Sequence, residues 1–391
     1  LGDVYKRQGY ETATDLYYAT VDGADYYPDI FIGRLSVDTT TQATTIVNKI
    51  INYEQNPPSI ASFYSDVSVC AYFQDDDQDG YEDRRFVLTS EEIRDYMLTQ
   101  GYNVQRIYCT TQAVNPTNYN NGDFDQGDPL PPDLLRPGFL WDGDTMDIDT
   151  AINAGRFLVY HRDHGGSRNF WSYKWSTWGS LEGWGDPQYT TTDVAGLANG
   201  DRLPVVFSVE CQCGWFDNEV DQQVDPVLTR SFECFSEELL RYQYGGAVAV
   251  FGATRNSPSG HNDDLAKGLF DAIWPGFDPS IQTGAMYELG QILTYGKMYM
   301  LLHPWFGYEQ TEFELFHLFG DPEMSIWTDQ PQTLTVIHPL AIGSGGSQKF
   351  VVNVTASGNP VNHALVSLYK PGDVHTIAYT DAGGHAFLDV T

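Results

Sequence analysis

The chain has 391 residues, enough for at least one large hydrophobic core and for two or three domains. Its formal net charge of -32 at pH 7 repels phosphate backbones and anionic lipids, so nucleic acid is not an expected partner. Five cysteines, an odd and small number, do not imply a disulfide framework, and no apolar run approaches the roughly 18 residues of a transmembrane helix.

Neither end of the chain resembles a native terminus, so we expect a fragment of a longer protein. The first eight residues, "LGDVYKRQ", contain no initiator Met and no secretory signal, and they resemble a translated sequencing adapter. Residues 1–8 are therefore expected to be non-native. The missing signal peptide says nothing about secretion.

Apolar strands alternate with helices along most of the chain. The predicted strands are, in chain order, "DIFIG", "DVSVCAYF", "YNVQRIYC", "RFLVYH", "LPVVFSV" and "AVAVFGATR". The predicted helices are the segment around Ile46 and Ile50, "SEEIRDYMLTQG" starting at Ser90, "DTAINAG", "FSEELLRYQYGG", "DDLAKGLFDAIW" and "AMYELGQILTYGKMYMLL". This order predicts an α/β fold with a mostly parallel sheet flanked by helices, in which catalytic groups lie at the carboxyl ends of the strands.

The pattern changes near residue 330. Beyond Pro331 the chain contains short strands with apolar alternation, separated by Gly, Pro and Asn turns. This pattern predicts an all-β immunoglobulin-like sandwich, which lacks its last strands.

Two chemically reactive side chains follow buried strands. His164 comes after "RFLVYHRD", and Cys211 comes after "LPVVFSVE". A thiol becomes a good nucleophile near neutral pH when an imidazole lies beside it in space. Gly165 and Gly166 let the backbone approach a substrate closely, and an N–H group there suits an oxyanion hole. The alternative is that the Cys and the His are two unrelated core residues.

These segments resemble the signature blocks of the gingipain family of cysteine peptidases, which belongs to the caspase-like clan. The similarity continues at "FIGRLSV", "CFSEELLR", "GGAVAVFGATRNS" and "LFGDPEMSIW". The resemblance implies a caspase-like catalytic domain over residues 61–330, with an incomplete immunoglobulin-like domain over 331–391. Residues 1–60 would be the remnant of an upstream α/β half-domain.

The resemblance also assigns roles to individual residues. Cys211 would be the nucleophile and His164 the catalytic histidine, while Cys213 matches no functional position of the family. The acidic residue that assists the histidine in this family falls loosely at Asp75. A competing interpretation is a zinc site, in which His161, His164, Cys211 and Cys213 form an H-x-x-H plus C-x-C ligand set.

An acidic run starts at Asp75. Its D-x-D-x-D-G pattern, made by Asp75, Asp77, Asp79 and Gly80, is the first half of a calcium-binding loop. An EF-hand is excluded because Phe86 occupies the position of the bidentate Glu, so the site would be closed by Glu82 or Asp83. We expect a structural calcium ion here, with a solvated acidic turn as the alternative.

Substrate preference is the least defined part of the sequence. Arg84 and Arg85 follow the acidic run where the family carries an acidic pocket residue. If either lines the pocket, an acidic side chain at the cleaved bond is favoured; otherwise both are surface arginines that balance the acidic run. Trp171 belongs to a Trp-rich loop after His164, which either walls the cleft or packs on the surface.

The sequence therefore predicts a secreted or cell-surface cysteine endopeptidase of bacterial type. It would act on protein or peptide substrates through Cys211 and His164, with an acyl-thioester intermediate and no cofactor for catalysis. The alternatives are a sortase-like transpeptidase associated with a secretion system, and a non-catalytic cell-surface adhesin with the same fold.

Overall fold

The structure is a computed structural model, and it describes residues 3–7, 10–121, 127–166, 182–218, 233–302, 307–343 and 345–390, with side chains from residue 12 onward. The chain divides into two compact units, Leu1–Asp329 and Gln330–Thr391. Across the described residues, no helix combines the length and the apolar character that crossing a bilayer requires.

The first unit contains an α/β arrangement in which short 3-10 helices connect some of the elements. Its helices and strands are, in chain order, β1 (Asp3–Arg7), β2 (Tyr10–Thr14), α1 (Leu16–Ala19), α2 (Thr40–Gln55), β3 (Asp66–Tyr72), α3 (Phe86–Thr99), β4 (Asn103–Cys109), α4 (Thr145–Ala154), β5 (Leu158–Arg162), β6 (Gly165–Gly166), β7 (Gly183–Trp184), β8 (Tyr189–Thr190), α5 (Thr191–Val194), β9 (Val205–Ser208), α6 (Phe235–Arg241), β10 (Ala249–Ala253), α7 (Ser259–Ile273), α8 (Leu289–Tyr299), α9 (Glu309–Leu315) and β11 (Phe316–Phe319).

A six-stranded sheet forms the centre of this unit. Its strand order is β11-β10-β9-β5-β3-β4. All neighbouring pairs from β10 to β4 are parallel, and only β11 runs antiparallel at the edge, which confirms the predicted mostly parallel sheet. Every residue of β5, β9 and β10 is buried, as expected for strands that are covered on both faces.

The register of the sheet determines where the site lies. Strands β5 and β9 are parallel neighbours, with His161 opposite Ser208. Because parallel strands end at the same edge of a sheet, the residues that follow these two positions leave the sheet side by side.

The structure corrects two predicted elements. The segment "DIFIG" is not a strand, and its residue Ile30 is exposed. The chain meets the sheet only at the next residue, Arg34, which forms an isolated bridge with Phe319. Helix α3 begins at Phe86 and not at Ser90. The earlier start has a physical cause, because the buried Glu82 carboxylate accepts hydrogen bonds from the first backbone N–H groups of that helix.

The second unit consists of antiparallel strands, namely β12 (Leu334–Ile337), β13 (Gln348–Ala356), β14 (Asn359–Pro360), β15 (Leu365–Lys370), β16 (Val374–Tyr379) and β17 (His385–Val390). Strand β13 pairs with β12, β14 and β17, while β15 and β16 form a separate two-stranded sheet. Apolar side chains from both sheets share one core, so the unit is a small β-sandwich. Its immunoglobulin-like classification stays a prediction.

Candidate active site

Cys211 and His164 line the same cleft, which has a volume of about 300 Å³. His164 is the second residue after β5, and Cys211 is the third residue after β9. The neighbouring parallel strands thus deliver both side chains to one edge of the sheet, as the sequence predicted. The cleft is lined by Arg84, Phe86, Arg162, Asp163, His164, Gly165, Gly166, Cys211, Gln212, Asn256, Ser257, Ser259 and Asn262.

The Cys211 thiol lies against Ser257, which follows strand β10. The Ser257 N–H is 3.3 Å from the Cys211 Sγ, and the Ser257 carbonyl oxygen is 3.6 Å from it. Burial raises the pKa of the Cys211 thiol, although the Ser257 N–H opposes this change by hydrogen bonding to the sulfur. At rest the Cys211 side chain is therefore a thiol, with one N–H donor in place that would stabilise its thiolate.

His164 is held between an aromatic ring and an amide. The Phe86 ring meets the imidazole edge to face, with centroids 5.1 Å apart. The His164 Nε2 is 2.9 Å from the Gln74 Oε1. Burial, together with the positive charges of Arg84 and Arg162, lowers the pKa of His164 to about 3. The imidazole is consequently neutral at physiological pH.

The contacts of Gln74 define which ring nitrogen of His164 carries the proton. The Gln74 Nε2 donates a hydrogen bond of 2.9 Å to the Asp76 carboxylate, so its Oε1 faces His164. An amide oxygen only accepts, and the His164 Nε2 must therefore be the donor. In that tautomer Nδ1 is the basic nitrogen of the imidazole.

The predicted assisting residue Asp75 does not contact the imidazole, and this prediction is corrected. Its carboxylate is turned into its own loop, where it accepts hydrogen bonds from the N–H groups of Asp79 and Gly80 at 3.1 and 2.9 Å. The neighbouring Gln74 takes the position beside His164 instead. A neutral amide orients the imidazole without supplying the charge that a carboxylate would bring.

The backbone around Cys211 is tightly packed. A Cβ atom at Gly165 would lie 2.1 Å from the Cys211 carbonyl oxygen, so only glycine fits there. Gln212 adopts a left-handed conformation with φ of 62°, which turns the chain sharply after Cys211. Within the described part of the chain, the Cys211 N–H donates to no protein acceptor. That N–H group is suited to bind an oxyanion.

The four residues of the zinc interpretation do not gather. His161 is fully buried, with its Nδ1 3.0 Å from the Glu210 carboxylate and its ring stacked on Trp184. Cys213 is also buried, and burial raises the pKa of its thiol well above the usual range. In the ranges that the structure covers, the only metal-ligating group of three or more side chains lies elsewhere. The Glu210 carboxylate instead pairs with His161 and so connects the segment after β9 to strand β5, a role that was not predicted from the sequence.

The acidic run contains that group. Asp75, Asp77 and Asp79 bring one carboxylate oxygen each to within 4.8 Å of the others. Asp83 is not part of the group, and its carboxylate accepts a hydrogen bond of 2.7 Å from the Asp76 N–H. Glu82 is committed to the start of helix α3. Carboxylate oxygens at this spacing fit a hard cation such as calcium, and the calcium site stays a prediction.

The two predicted pocket arginines have different environments. Arg84 lines the cleft and is exposed, whereas Arg85 lies with its Nε 3.5 Å from the Asp263 carboxylate. Trp171, the third predicted pocket residue, lies outside the described residues.

Two residues of the site, Gln74 and Ser257, were not predicted. Both lie just after strands of the parallel sheet, Gln74 after β3 and Ser257 after β10. The strand-exit rule that identified His164 and Cys211 applies to these positions as well. The rule selects positions at the ends of strands, but the amide of Gln74 and the hydroxyl of Ser257 belong to no recognisable catalytic motif in the sequence.

A parallel α/β sheet that brings a Cys and a neutral His into one cleft is an arrangement suited to a thiol nucleophile. The pattern of Peptidase family C25 matches residues 3–327 of this chain. The chain belongs to Peptidase family C25, and its first unit has the caspase-like fold.

The chain is similar in sequence to gingipains from Porphyromonas gingivalis. Gingipain R2 is 24% identical over 371 residues, which are 92% of this chain and 40% of the relative. Lys-gingipain is 20% identical over 408 residues, which are 97% of this chain and 19% of the relative. This chain therefore spans less than half of the length of these relatives.

Solved structures show the same fold. The Arg specific cysteine proteinase gingipain R has a TM-score of 0.72 and 21% identity, and the match covers 99% of this chain and 74% of that one. A complex of the pro- and mature domains of the Porphyromonas gingivalis protein RgpB has a TM-score of 0.71 and 20% identity, with coverage of 97% and 74%.

Proposed function

We propose that this protein is a cysteine endopeptidase in which Cys211 is the nucleophile and His164 the general base and acid. The observation that carries the proposal is the meeting of these two side chains in one cleft at the exits of neighbouring parallel strands. Membership of Peptidase family C25 supports the same reaction class. The substrates would be proteins or peptides, as membership of a peptidase family implies.

The reaction begins from a neutral pair. The thiol proton of Cys211 passes to the Nδ1 of His164 while the sulfur forms a bond to the peptide carbonyl carbon. The N–H groups of Cys211 and of the adjacent Gly165–Gly166 segment bind the oxyanion. His164 then donates its proton to the leaving amine as the C–N bond breaks, leaving an acyl-thioester. Water, deprotonated by His164, hydrolyses the thioester and releases the acid.

Secretion or attachment to the cell surface is part of the proposal. The excess of 53 Asp and Glu over 21 Lys and Arg suits an extracellular protein, and the sequence resemblance to gingipains agrees with this location. A structural calcium ion would be held by Asp75, Asp77 and Asp79, where it would neutralise their mutual repulsion. Titration calorimetry with calcium chloride tests that site, because Asp77→Asn should weaken binding while Asp95→Asn, on the exposed side of α3, should not.

The main experiment is labelling with a peptidyl acyloxymethyl ketone, followed by mass spectrometry to map the modified residue. This reagent alkylates a thiol that is activated within a substrate-binding cleft. We expect one label per chain, at Cys211, with loss of labelling and of peptide cleavage in Cys211→Ala and His164→Ala. Cys109→Ala is the matched control, since Cys109 is only partly buried and lies outside the cleft.

The outcomes separate the alternatives. Equal labelling of several cysteines, with no effect of His164→Ala, would contradict the proposal and favour a non-catalytic adhesin. Transfer of the acyl group to an added amine in preference to water would identify a transpeptidase. Hydrolysis in the presence of that amine supports the peptidase.

A further inference from the structure

Two arginine side chains line the cleft, although the whole protein carries a formal net charge of -32. Four of its lining residues have ionisable side chains of the Arg, Asp or His type, namely Arg84, Arg162, Asp163 and His164. The charge that the cleft presents to a substrate depends on the protonation of these side chains and on their ion pairs with other residues.

Burial favours the neutral form of two of these four groups. Burial lowers the pKa of His164 to about 3, so the imidazole is neutral. Asp163 is buried, with its Oδ2 2.7 Å from the Asp186 N–H, and burial raises the pKa of its carboxyl group well above the usual range. Burial thus favours the neutral form of this carboxyl group, and its Oδ2 is already engaged by the Asp186 N–H.

Arg162 is already engaged. It is buried, its guanidinium bonds to the Asp263 carboxylate at 2.7 Å and to the Ser259 carbonyl oxygen at 2.8 Å, and it lies over the Phe86 ring. Arg85 lies near the other oxygen of the same carboxylate, with its Nε 3.5 Å from the Asp263 Oδ2. The Asp263 carboxylate is therefore shared by two arginines, and Arg84 is not one of them.

Arg84 is the remaining cation. Its side chain is exposed, lines the cleft, and has no hydrogen bond or ion pair with any residue in the described part of the chain. It lies close enough to His164 for its charge to act on the imidazole. Neutral polar groups of Asn256 and Asn262 line the same cleft and can donate further hydrogen bonds.

We propose that Arg84 makes this protein selective for substrates with an acidic side chain, Asp or Glu, at the cleaved bond. The guanidinium would bind the substrate carboxylate in a bidentate pair, beside the thiol that attacks the adjoining carbonyl group. The proposal rests on the function proposed above. It differs from the Arg and Lys preferences that the names of the relatives state, because an exposed cation in the cleft repels a basic side chain.

The test uses internally quenched peptides that differ only at the residue before the cleaved bond: Asp, Glu, Asn, Gln, Lys or Arg. We expect kcat/KM to be about 10- to 100-fold higher for Asp or Glu than for the isosteric Asn or Gln, the range expected for a hydrogen-bonded charge pair. Arg84→Gln should reduce this ratio to about threefold or less. Arg94→Gln is the matched control, since Arg94 loses the same charge on helix α3, where it pairs with Asp95.

Charge reversal makes the test sharper. Arg84→Glu should prefer Lys or Arg peptides over Asp or Glu peptides, and circular dichroism verifies that each variant is folded. An acidic preference that survives in Arg84→Gln would overturn the assignment to Arg84. Cleavage after Lys or Arg by the unmodified protein would overturn the acidic preference but leave the cysteine peptidase standing. Failure to cleave any peptide, together with an unlabelled Cys211, would overturn both.

Discussion

Replacing Gln74 with methionine tests whether the amide orients the catalytic imidazole. Gln74 is buried and accepts a hydrogen bond from His164, but it does not line the cleft. Methionine has a similar length, and its thioether sulfur is a much weaker acceptor than the amide oxygen. We therefore expect Gln74→Met to lower kcat while KM stays within about threefold, because the substrate does not touch the changed side chain.

The magnitude follows from the change in charge of His164 during the reaction. A hydrogen bond from a neutral donor contributes about 0.5–1.5 kcal/mol, and one from a charged donor about 1.5–3 kcal/mol. Only the difference, roughly 1–1.5 kcal/mol, appears in kcat, because His164 is neutral in the ground state and positive in the transition state. This corresponds to a decrease of kcat of roughly tenfold.

A second variant tests the orientation of the amide. In Asp76→Asn the carboxylate that holds the Gln74 NH₂ group is gone, so the amide can turn its NH₂ group toward His164. The imidazole would then carry its proton on Nδ1 and could not accept one from the thiol. Steady-state kinetics at pH 7.5 should show a reduced kcat, and the exposed Gln112→Met serves as the control.

Two results would refute this reasoning. An unchanged kcat with a raised KM in Gln74→Met would mean that Gln74 contacts the substrate and not the imidazole. A full effect of Gln74→Met combined with no effect of Asp76→Asn would mean that another group determines the tautomer.

Three further predictions concern packing and stability. Gly165→Ala should lower kcat by about 100-fold or more, since its Cβ would lie 2.1 Å from the Cys211 carbonyl oxygen and shift the nucleophile, whereas Gly284→Ala, with open space around it, should behave as wild type in the same assay. Burial lowers the pKa of His317 to about 4, so between pH 6.5 and 4 the unfolded chain binds a proton that the folded chain does not bind. The free energy of unfolding should therefore fall by up to roughly 3 kcal/mol over this pH range. Thermal unfolding measures the decrease, which should be smaller in His317→Gln. Glu82→Ala should cost about 1–2 kcal/mol in urea unfolding, because it removes the cap of helix α3, and an unchanged midpoint would show that the cap is dispensable.

The sequence predicted the parts of the site that follow from strand order. Continuous apolar strands predicted a parallel sheet, and the sheet places His164 and Cys211 at one edge whatever the details of the loops. The strand predicted at "DIFIG" failed because apolar composition alone does not specify a pairing partner. Helix α3 begins earlier than predicted because the Glu82 cap lies outside the amphipathic pattern that marked the helix.

Side-chain pairing in the loops could not be predicted in this way. Asp75 and Gln74 are adjacent in sequence, and only the direction of the chain after β3 decides which of them meets His164. The same holds for Arg84 and Arg85, which the loop turns toward the cleft and toward Asp263, respectively. A shift of one residue changes the chemistry of the site, and a sequence pattern does not resolve such a shift.

The acidic preference and the low basicity of His164 are linked through Arg84. The charge of Arg84 contributes to the lowered pKa of His164 in the free protein. A substrate carboxylate bound to Arg84 neutralises that charge, so the pKa of His164 rises when an acidic substrate occupies the cleft. We therefore expect the acidic limb of the kcat profile, which reports the enzyme–substrate complex, to lie at a higher pH for the Asp peptide than for the Asn peptide. If the acidic limbs of kcat lie at the same pH for the two peptides, substrate binding at Arg84 does not change the pKa of His164.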